Sequence, residues 1–271
     1  MATDNLINIK INDNDSVAIE PIKLKTFSYE EGRSLEEYSW GDLNEKIKTG
    51  SYNDLRVGDY KTFTFRGKTV TMLIAGIDTY YNNYQNSGNG SEIVGHHIDW
   101  ISKELVLTKE KWNDDAKNNS LGAPSNPYVN SKLYNTLNAE ALIAEFPDEL
   151  KNVIVGKYAT VETRKDVNNA LTNSTGRDNN VYFGLLWVPT EMEVFGSCIH
   201  GTPGWSCCGQ VQYPLFAYST KNRCKGGNWW LATPQNGSNT HCVAISANGN
   251  PIVKEANSEI GVPLCFRMRN N

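Results

Sequence analysis

The groups best equipped for chemistry in this chain are thiols, imidazoles and carboxylates in a few short runs. Cys198-Ile199-His200, followed by Cys207-Cys208, offers the soft ligands that zinc takes. A Cys-x-His followed by a vicinal pair matches none of the tight zinc spacings, so a local disulfide or buried thiols suit the run better. A nucleophilic Cys/His pair would also need an activated thiolate facing an imidazole, which adjacency in sequence does not supply. Glu191 and Glu193 would share a face of a strand, but glycoside hydrolysis depends on the separation of two carboxylates in space. His96-His97 leads into the strand-like Ile98-Asp99-Trp100, which points one imidazole inward and one out: a satisfied core histidine beside a surface one. Asp114-Asp115 falls well short of the ligand count calcium needs and reads as a solvated acidic loop. Neither a Gly-Lys-Ser/Thr phosphate loop nor a dinucleotide glycine fingerprint occurs. No catalytic residue, metal or cofactor is expected.

Binding suits the remaining chemistry. Loops 201–212, 218–228, 235–240 and 254–260 are rich in Gly, Ser, Asn, Thr and Gln, with Trp205 and Tyr218 interspersed and Tyr213 alongside. Adaptable binding surfaces combine aromatic area with short hydrogen-bonding side chains in this way. Trp205, Asn228, Asn236, Asn239, His241 and Asn257 are the expected ligand contacts. Each could equally be an ordinary solvated loop residue.

The elements that must hold these loops are legible in the hydrophobic pattern. Val262, Leu264, Phe266 and Met268 alternate with Pro263, Cys265 and Arg267, the period of a strand with one face buried. His241 to Ser246 alternates similarly into Ala247-Asn248-Gly249-Asn250, where Asn and Gly favour a hairpin turn. Trp229 and Trp230 read as core anchors, with a sugar-stacking platform as the alternative. Phe63 and Phe65, a turn at Arg66-Gly67-Lys68, and then Val70, Met72 and Ile74 form a second hairpin that opens the folded domain. Tyr80 to Gly90 reads as a surface loop whose tyrosines cover neighbouring surface or bind a ligand.

Asn130 is expected to cap a helix carrying Leu133, Tyr134 and Leu137, and Asn138 another carrying Ala141, Leu142 and Phe146. Pro147 suits the first turn of a third piece. Tyr182 to Val188 reads as a buried strand ended by Pro189. Residues 1–45 read as a short strand, with Ile7, Ile9 and Ile11 alternating, then a turn-rich break and an extended arm; residues 46–271 form the domain.

The 271 residues suffice for a sizeable core. A net charge of −4 without any Lys/Arg run argues against nucleic acid as a partner. No apolar stretch approaches bilayer length, so membrane insertion is not expected. Met1 to Ile11 lacks the features of a secretory signal. All six cysteines lie in the final third; reduced thiols are the default for a protein made in the cytosol, and disulfides formed after release are the alternative.

Six blocks in order resemble a family of domains in bacterial surface proteins and phage or prophage tail proteins. They are Val57-Gly58-Asp59 with its hairpin and Ile74-Ala75-Gly76, the helical Ser131-Lys132-Leu133-Tyr134-Asn135 to Leu150, and Leu186-Trp187-Val188-Pro189-Thr190-Glu191-Met192-Glu193-Val194-Phe195-Gly196. Tyr213-Pro214-Leu215-Phe216, Trp229-Trp230-Leu231-Ala232-Thr233-Pro234 and Gly261-Val262-Pro263 complete the series, which spans roughly residues 55–268.

The resemblance implies a C-type-lectin-like fold of the α+β class, with short antiparallel sheets, two or three helices and long irregular loops gathered at one end. It departs from the calcium lectins, which carry Glu-Pro-Asn or Gln-Pro-Asp before a downstream Trp-Asn-Asp. Neither proline tripeptide occurs here, and Trp112-Asn113-Asp114 lies far upstream.

The function implied is a non-enzymatic receptor-binding or adhesion protein of a phage tail or tail-like particle, located on the virion or particle. It would recognise a bacterial cell-surface glycan or protein through the C-terminal loops and attach to other tail or baseplate subunits through residues 1–45. A homotrimer suits that place. The alternatives are a bacterial surface lectin-like module and a glycan- or thiol-acting enzyme using Cys198, Cys208 or Glu191.

Overall fold

The computed structural model describes residues 6–11, 17–22, 32–82, 94–120, 127–160, 180–201 and 210–269. The chain divides into two compact units, Met1–Glu30 and Glu31–Asn271. In the first, β1 (Leu6–Ile11) pairs antiparallel with β2 (Val17–Ile22), from Leu6 opposite Ile22 to Ile11 opposite Val17. The expected strand is present, and Val17 to Ile22 forms its partner instead of an arm; the Asn12 to Ser16 break lies outside the described residues.

Helix α1 (Trp40–Thr49) spans the boundary expected at residue 45 and belongs to the second unit. Ser39 and Asp42 close a capping box at its start, and Gly50 ends it in the left-handed region. Trp40, Leu43 and Ile47, three and four apart, form its buried face. The Trp40 ring sits 5.3 Å from Trp100 and 5.9 Å from Phe266, which places α1 in the core of the second unit.

The second unit is mixed α+β and mostly sheet. One five-stranded sheet has the order β3 (Tyr60–Phe65), β4 (Lys68–Ile77), β5 (His97–Ser102), β14 (Cys265–Arg269) and β7 (Ile154–Val155). The other has the order β12 (Pro251–Glu255), β11 (His241–Ile245), β10 (Trp229–Pro234), β13 (Ile260–Val262) and β6 (Leu107–Glu110). A separate ribbon pairs β8 (Lys157–Thr160) with β9 (Asn180–Gly184). The β3–β4 hairpin turns through Arg66 and Gly67 at φ 50° and 69°, the positive pair that a tight two-residue turn requires. The two large sheets are stitched where β5 runs towards β6 beside β13 running towards β14; there Ser102 N donates to Leu264 O and Leu264 N to Ser102 Oγ. One neighbour pair is parallel, Trp229 beside Gly261, where only antiparallel sheets were expected. The cause is that the chain leaves β12 at the sheet edge and returns across β11 to the free side of β10.

Where two or three helices were expected, six α segments occur among the described residues, and only α1 exceeds two turns. The others are α2 (Lys132–Leu137), α3 (Glu140–Ile143), α4 (Asp148–Lys151), α5 (Glu191–Phe195) and α6 (Pro214–Tyr218). Ser131, not Asn130, caps α2. Asn138 caps no following helix: its side chain donates to Tyr134 O and Leu186 O and accepts from Leu185 N, tying α2 to the chain after β9.

Trp229 and Trp230 are fully buried core anchors, with indole N–H groups donated to Arg223 O at 2.9 Å and Glu110 O at 2.8 Å. Val262, Leu264, Phe266 and Met268 are buried as their spacing requires. Pro263, Cys265 and Arg267 are buried too; on that second face Arg267 lies 5.4 Å from the centre of the Tyr80 ring and binds Asp99, so it is covered as well. No helix among the described residues is long and apolar enough to cross a membrane.

Candidate functional site

Two polar constellations stand out, one on the surface and one in the core. The surface one is the rim formed by the β10–β11 loop and the β12–β13 turn. Asn236 and Asn239 are exposed there; His241 and Asn257 are half-buried. Asn118, itself wholly buried, organises the loop from beneath. Its N–H donates to Asn239 O at 2.9 Å, and its amide donates to Ser238 O at 2.9 Å and His241 O at 2.7 Å. His241 Nδ1 lies 2.8 Å from Thr240 Oγ1, and Ala256 N donates to Thr240 O, which brings the turn bearing Asn257 against the loop. Asn236 N donates to His200 O at 2.8 Å.

Of the six expected contact residues, the structure brings these four together. Asn228 is not with them. It precedes β10, a six-residue strand whose far end leads to Asn236, so roughly 3.3 Å per residue puts it about 20 Å away. There its Oδ1 accepts from Ala247 N at 3.0 Å, bracing the β11–β12 turn. The polar loops therefore occupy both ends of the sheet and not one, because β10 separates 218–228 from 235–240. Trp205 lies outside the described residues, as do Cys207 and Cys208.

The run with the most reactive side chains resolves as structure. Cys198 is disulfide-bonded, while Cys242 and Cys265 are buried thiols outside any disulfide and Cys224 is an exposed one. Burial raises the Cys265 thiol above its ordinary value. Glu191 and Glu193 sit in helix α5, not on a strand, and both are buried. The Glu191 carboxylate accepts from His200 N at 2.9 Å and Gly201 N at 2.7 Å. Trp112-Asn113-Asp114 fixes α2: Asn113 Oδ1 accepts from Lys132 N, and Asp114 pairs with the Lys132 ammonium. Among the described residues no group of three or more His, Cys, Asp or Glu is placed to hold a metal.

The second constellation is the core cluster of Asp99, Arg267, Lys157, Glu193, Tyr80, Tyr213 and His97. Arg267 on β14 faces Asp99 on β5 in register, and the two form a bidentate pair with both N–O distances 2.7 Å. Burial alone would raise Asp99, but the Arg267 charge and its hydrogen bonds outweigh it and hold the carboxyl at about 2.

Tyr213 OH donates to Asp99 Oδ2 at 3.0 Å and accepts from Lys157 Nζ at 3.1 Å. Lys157 also contacts Glu193 Oε1 directly, and its ammonium lies 4.7 Å from the centre of the Trp187 ring. Tyr80 OH donates to Glu193 Oε1 at 2.5 Å, and Thr190 N donates to Oε2 at 3.0 Å. Burial first, then the nearby carboxylates, push both tyrosine hydroxyls well above their ordinary range.

His97, the first residue of β5, is the inward imidazole, and His96 just before it is the partly exposed one. His97 Nδ1 donates to Gly95 O and Nε2 accepts from Tyr80 N, an arrangement of the neutral ring. Burial, then the Arg267 charge, lowers His97 to about 4. His96 Nδ1 instead meets Asp78 Oδ2 at 2.7 Å, and Tyr81 stacks on its ring. Tyr80, expected on a surface loop, is a core residue because its hydroxyl has a carboxylate to reach; Tyr84 lies outside the described residues.

None of this cluster was among the expected contacts. One signal was available for Glu193: Thr190-Glu191-Met192-Glu193 has the spacing of a capping box, which marks a helix start and turns the third residue back onto the chain.

The family of domains described as DUF6273, a domain of unknown function, matches residues 101–269. The chain belongs to this family. The DUF6273 match runs from within β5 to the end of β14, so it takes in Lys157, Glu193, Tyr213 and Arg267 together with the whole surface rim. Tyr80, His97 and Asp99, which complete the core cluster, precede it. No curated protein and no solved structure matches the chain.

Proposed function

We propose that the protein is a non-enzymatic receptor-binding protein of a phage tail or tail-like particle, recognising a bacterial surface glycan or protein. In this reading the second unit is an elaborated C-type-lectin-like domain. The buried Trp229-Trp230 pair and a closing strand in mid-sheet support it, together with the ordered blocks of residues that resemble such domains.

The observation that carries the reading is the rim. Asn236 and Asn239 present amides to solvent from a loop whose backbone is fixed by the buried Asn118. Amides held in place before a ligand arrives lose little conformational freedom on binding. Such a rim suits the hydroxyls of a glycan or the backbone of a surface protein. The Met1–Glu30 unit, compact in itself, is the candidate attachment to other particle subunits, and several copies on one particle would raise weak single contacts by avidity.

The test is binding of the full chain to bacterial envelope fractions. Wild type is expected to sediment with them, and the combined Asn236→Ala, Asn239→Ala and Asn257→Ala variant, folded as judged by circular dichroism, to remain in solution. Equal sedimentation of the two would reject the rim as the binding surface. Turnover of envelope glycan that is lost in Glu191→Gln would favour an enzyme instead.

A further inference from the structure

Lys157 and Glu193 present an amine and a carboxyl in direct contact, both wholly shielded from solvent, 36 residues apart in sequence. The geometry points to an intramolecular isopeptide cross-link here, an amide between Lys157 Nζ and Glu193 Cδ that joins β8 to α5. This inference stands independently of the function proposed above.

The polar partners fit an amide better than an ion pair. An ammonium has three N–H donors, yet among the described residues Lys157 Nζ has two oxygen partners, Glu193 Oε1 and Tyr213 OH. Around it stand the rings of Tyr80, Phe183, Trp187 and Tyr213, with centroids 4.7 to 5.6 Å away. Two desolvated ions in such a setting carry a heavy penalty, which the neutral amide does not. After bond formation the single amide N–H would keep Tyr213 OH as acceptor, and the amide oxygen, formerly Oε2, would keep the Thr190 N–H at 3.0 Å. Tyr80 OH would lose Oε1 but lies 3.4 Å from Val211 O, a second acceptor.

The neighbours also supply the proton steps. Lys157 Nζ contacts Glu193 Oε1 directly, so one ammonium proton can pass to that oxygen, leaving a free amine, still within reach of Tyr213 OH, beside a neutral carboxyl. The amine adds to Glu193 Cδ, forming the C–N bond. Tyr80 OH and Thr190 N–H stabilise the two oxygens as charge builds on them.

The C–Oε1 bond then breaks. Oxygen leaves as water with the proton it received first and a second one from the nitrogen, Tyr80 assisting. The ammonium and carboxylate become an amide and one water, with no outside oxidant, reductant or base. The adjoining packing, lined by Trp100, Trp187, Tyr213 and Cys265, has no room for a water molecule, so a competing water is excluded. The exposed Val211, next to Tyr80 OH, marks the side by which the product water can leave.

The decisive experiment needs no variant. The full wild-type chain, purified folded and then denatured and reduced, is weighed by intact-mass spectrometry and digested for peptide sequencing. The expected result is a mass lower than that of the reduced sequence by one water, together with a branched peptide linking Lys157 to Glu193. Lys157→Met should carry its full sequence mass. Folded wild type at full mass overturns the proposal, as does loss of water at any other pair.

Discussion

The rim and the core cluster are both built from polar residues, yet they are held together in opposite ways. At the rim, one buried asparagine satisfies backbone carbonyls, and the exposed amides contribute nothing to the scaffold that carries them. In the core, each group is the answer to another: Arg267 to Asp99, and Lys157 in direct contact with Glu193, with Tyr213 between. The difference predicts that the rim can be edited residue by residue, whereas the core cluster fails when any one member is removed.

The largest expected effect is therefore in the core. Arg267→Met strands a carboxylate in a dry interior and should cost about 3–5 kcal/mol in urea unfolding. A loss below about 1 kcal/mol would mean that the cluster is not one unit.

Acid should act next. His97 is held at about 4 against an ordinary 6.5, so the unfolded chain takes up the proton first as pH falls. The stability it contributes is whole above about 6.5 and drains between there and about 4, some ~2 kcal/mol of it between pH 7 and 5. Asp99, held at about 2 against 3.8, adds a further loss only below that ordinary value. An unfolding midpoint that stays flat from pH 7 to 5 would contradict the neutral, buried imidazole.

Asn118→Ala marks the border between the two regions, being a buried group that serves the surface. It should cost about 1–2 kcal/mol and speed amide exchange at residues 238–241, with no change near β14. Smallest for stability are Asn236→Ala and Asn239→Ala, each within about 0.5 kcal/mol. Their effect should appear in envelope binding alone. If either destabilised the chain as Asn118→Ala does, the contrast between a free rim and a committed core would dissolve.

Sequence patterns located the rim and missed the core for a physical reason. Asn236, Asn239 and Asn257 stand in runs of turn formers with no apolar period, and such runs lie at surfaces wherever the strands around them go. Asn228 belongs to the same kind of run, but its distance from the others depends on the direction of β10, which no local pattern records. Arg267 shows the opposite case. Alternation put it on the solvent side of β14, and it became buried because Asp99 meets it in register from β5 and the Tyr80 ring covers that face. Glu193 was readable as a helix cap from Thr190, but not as the partner of a lysine in β8.

What the sequence determined by itself is local: the β3–β4 and β11–β12 hairpins, the strand that closes the chain, the burial of Trp229 and Trp230, and the polar character of the loops. Each follows from backbone preferences and apolar periodicity over a few neighbouring residues. Tertiary structure alone decided that the polar loops divide between two ends of a sheet. It also decided that Asp99, Lys157, Glu193, Tyr213 and Arg267 meet in one dry cluster. Those encounters depend on which strands lie side by side, a long-range choice made by the whole core and not by any segment of it.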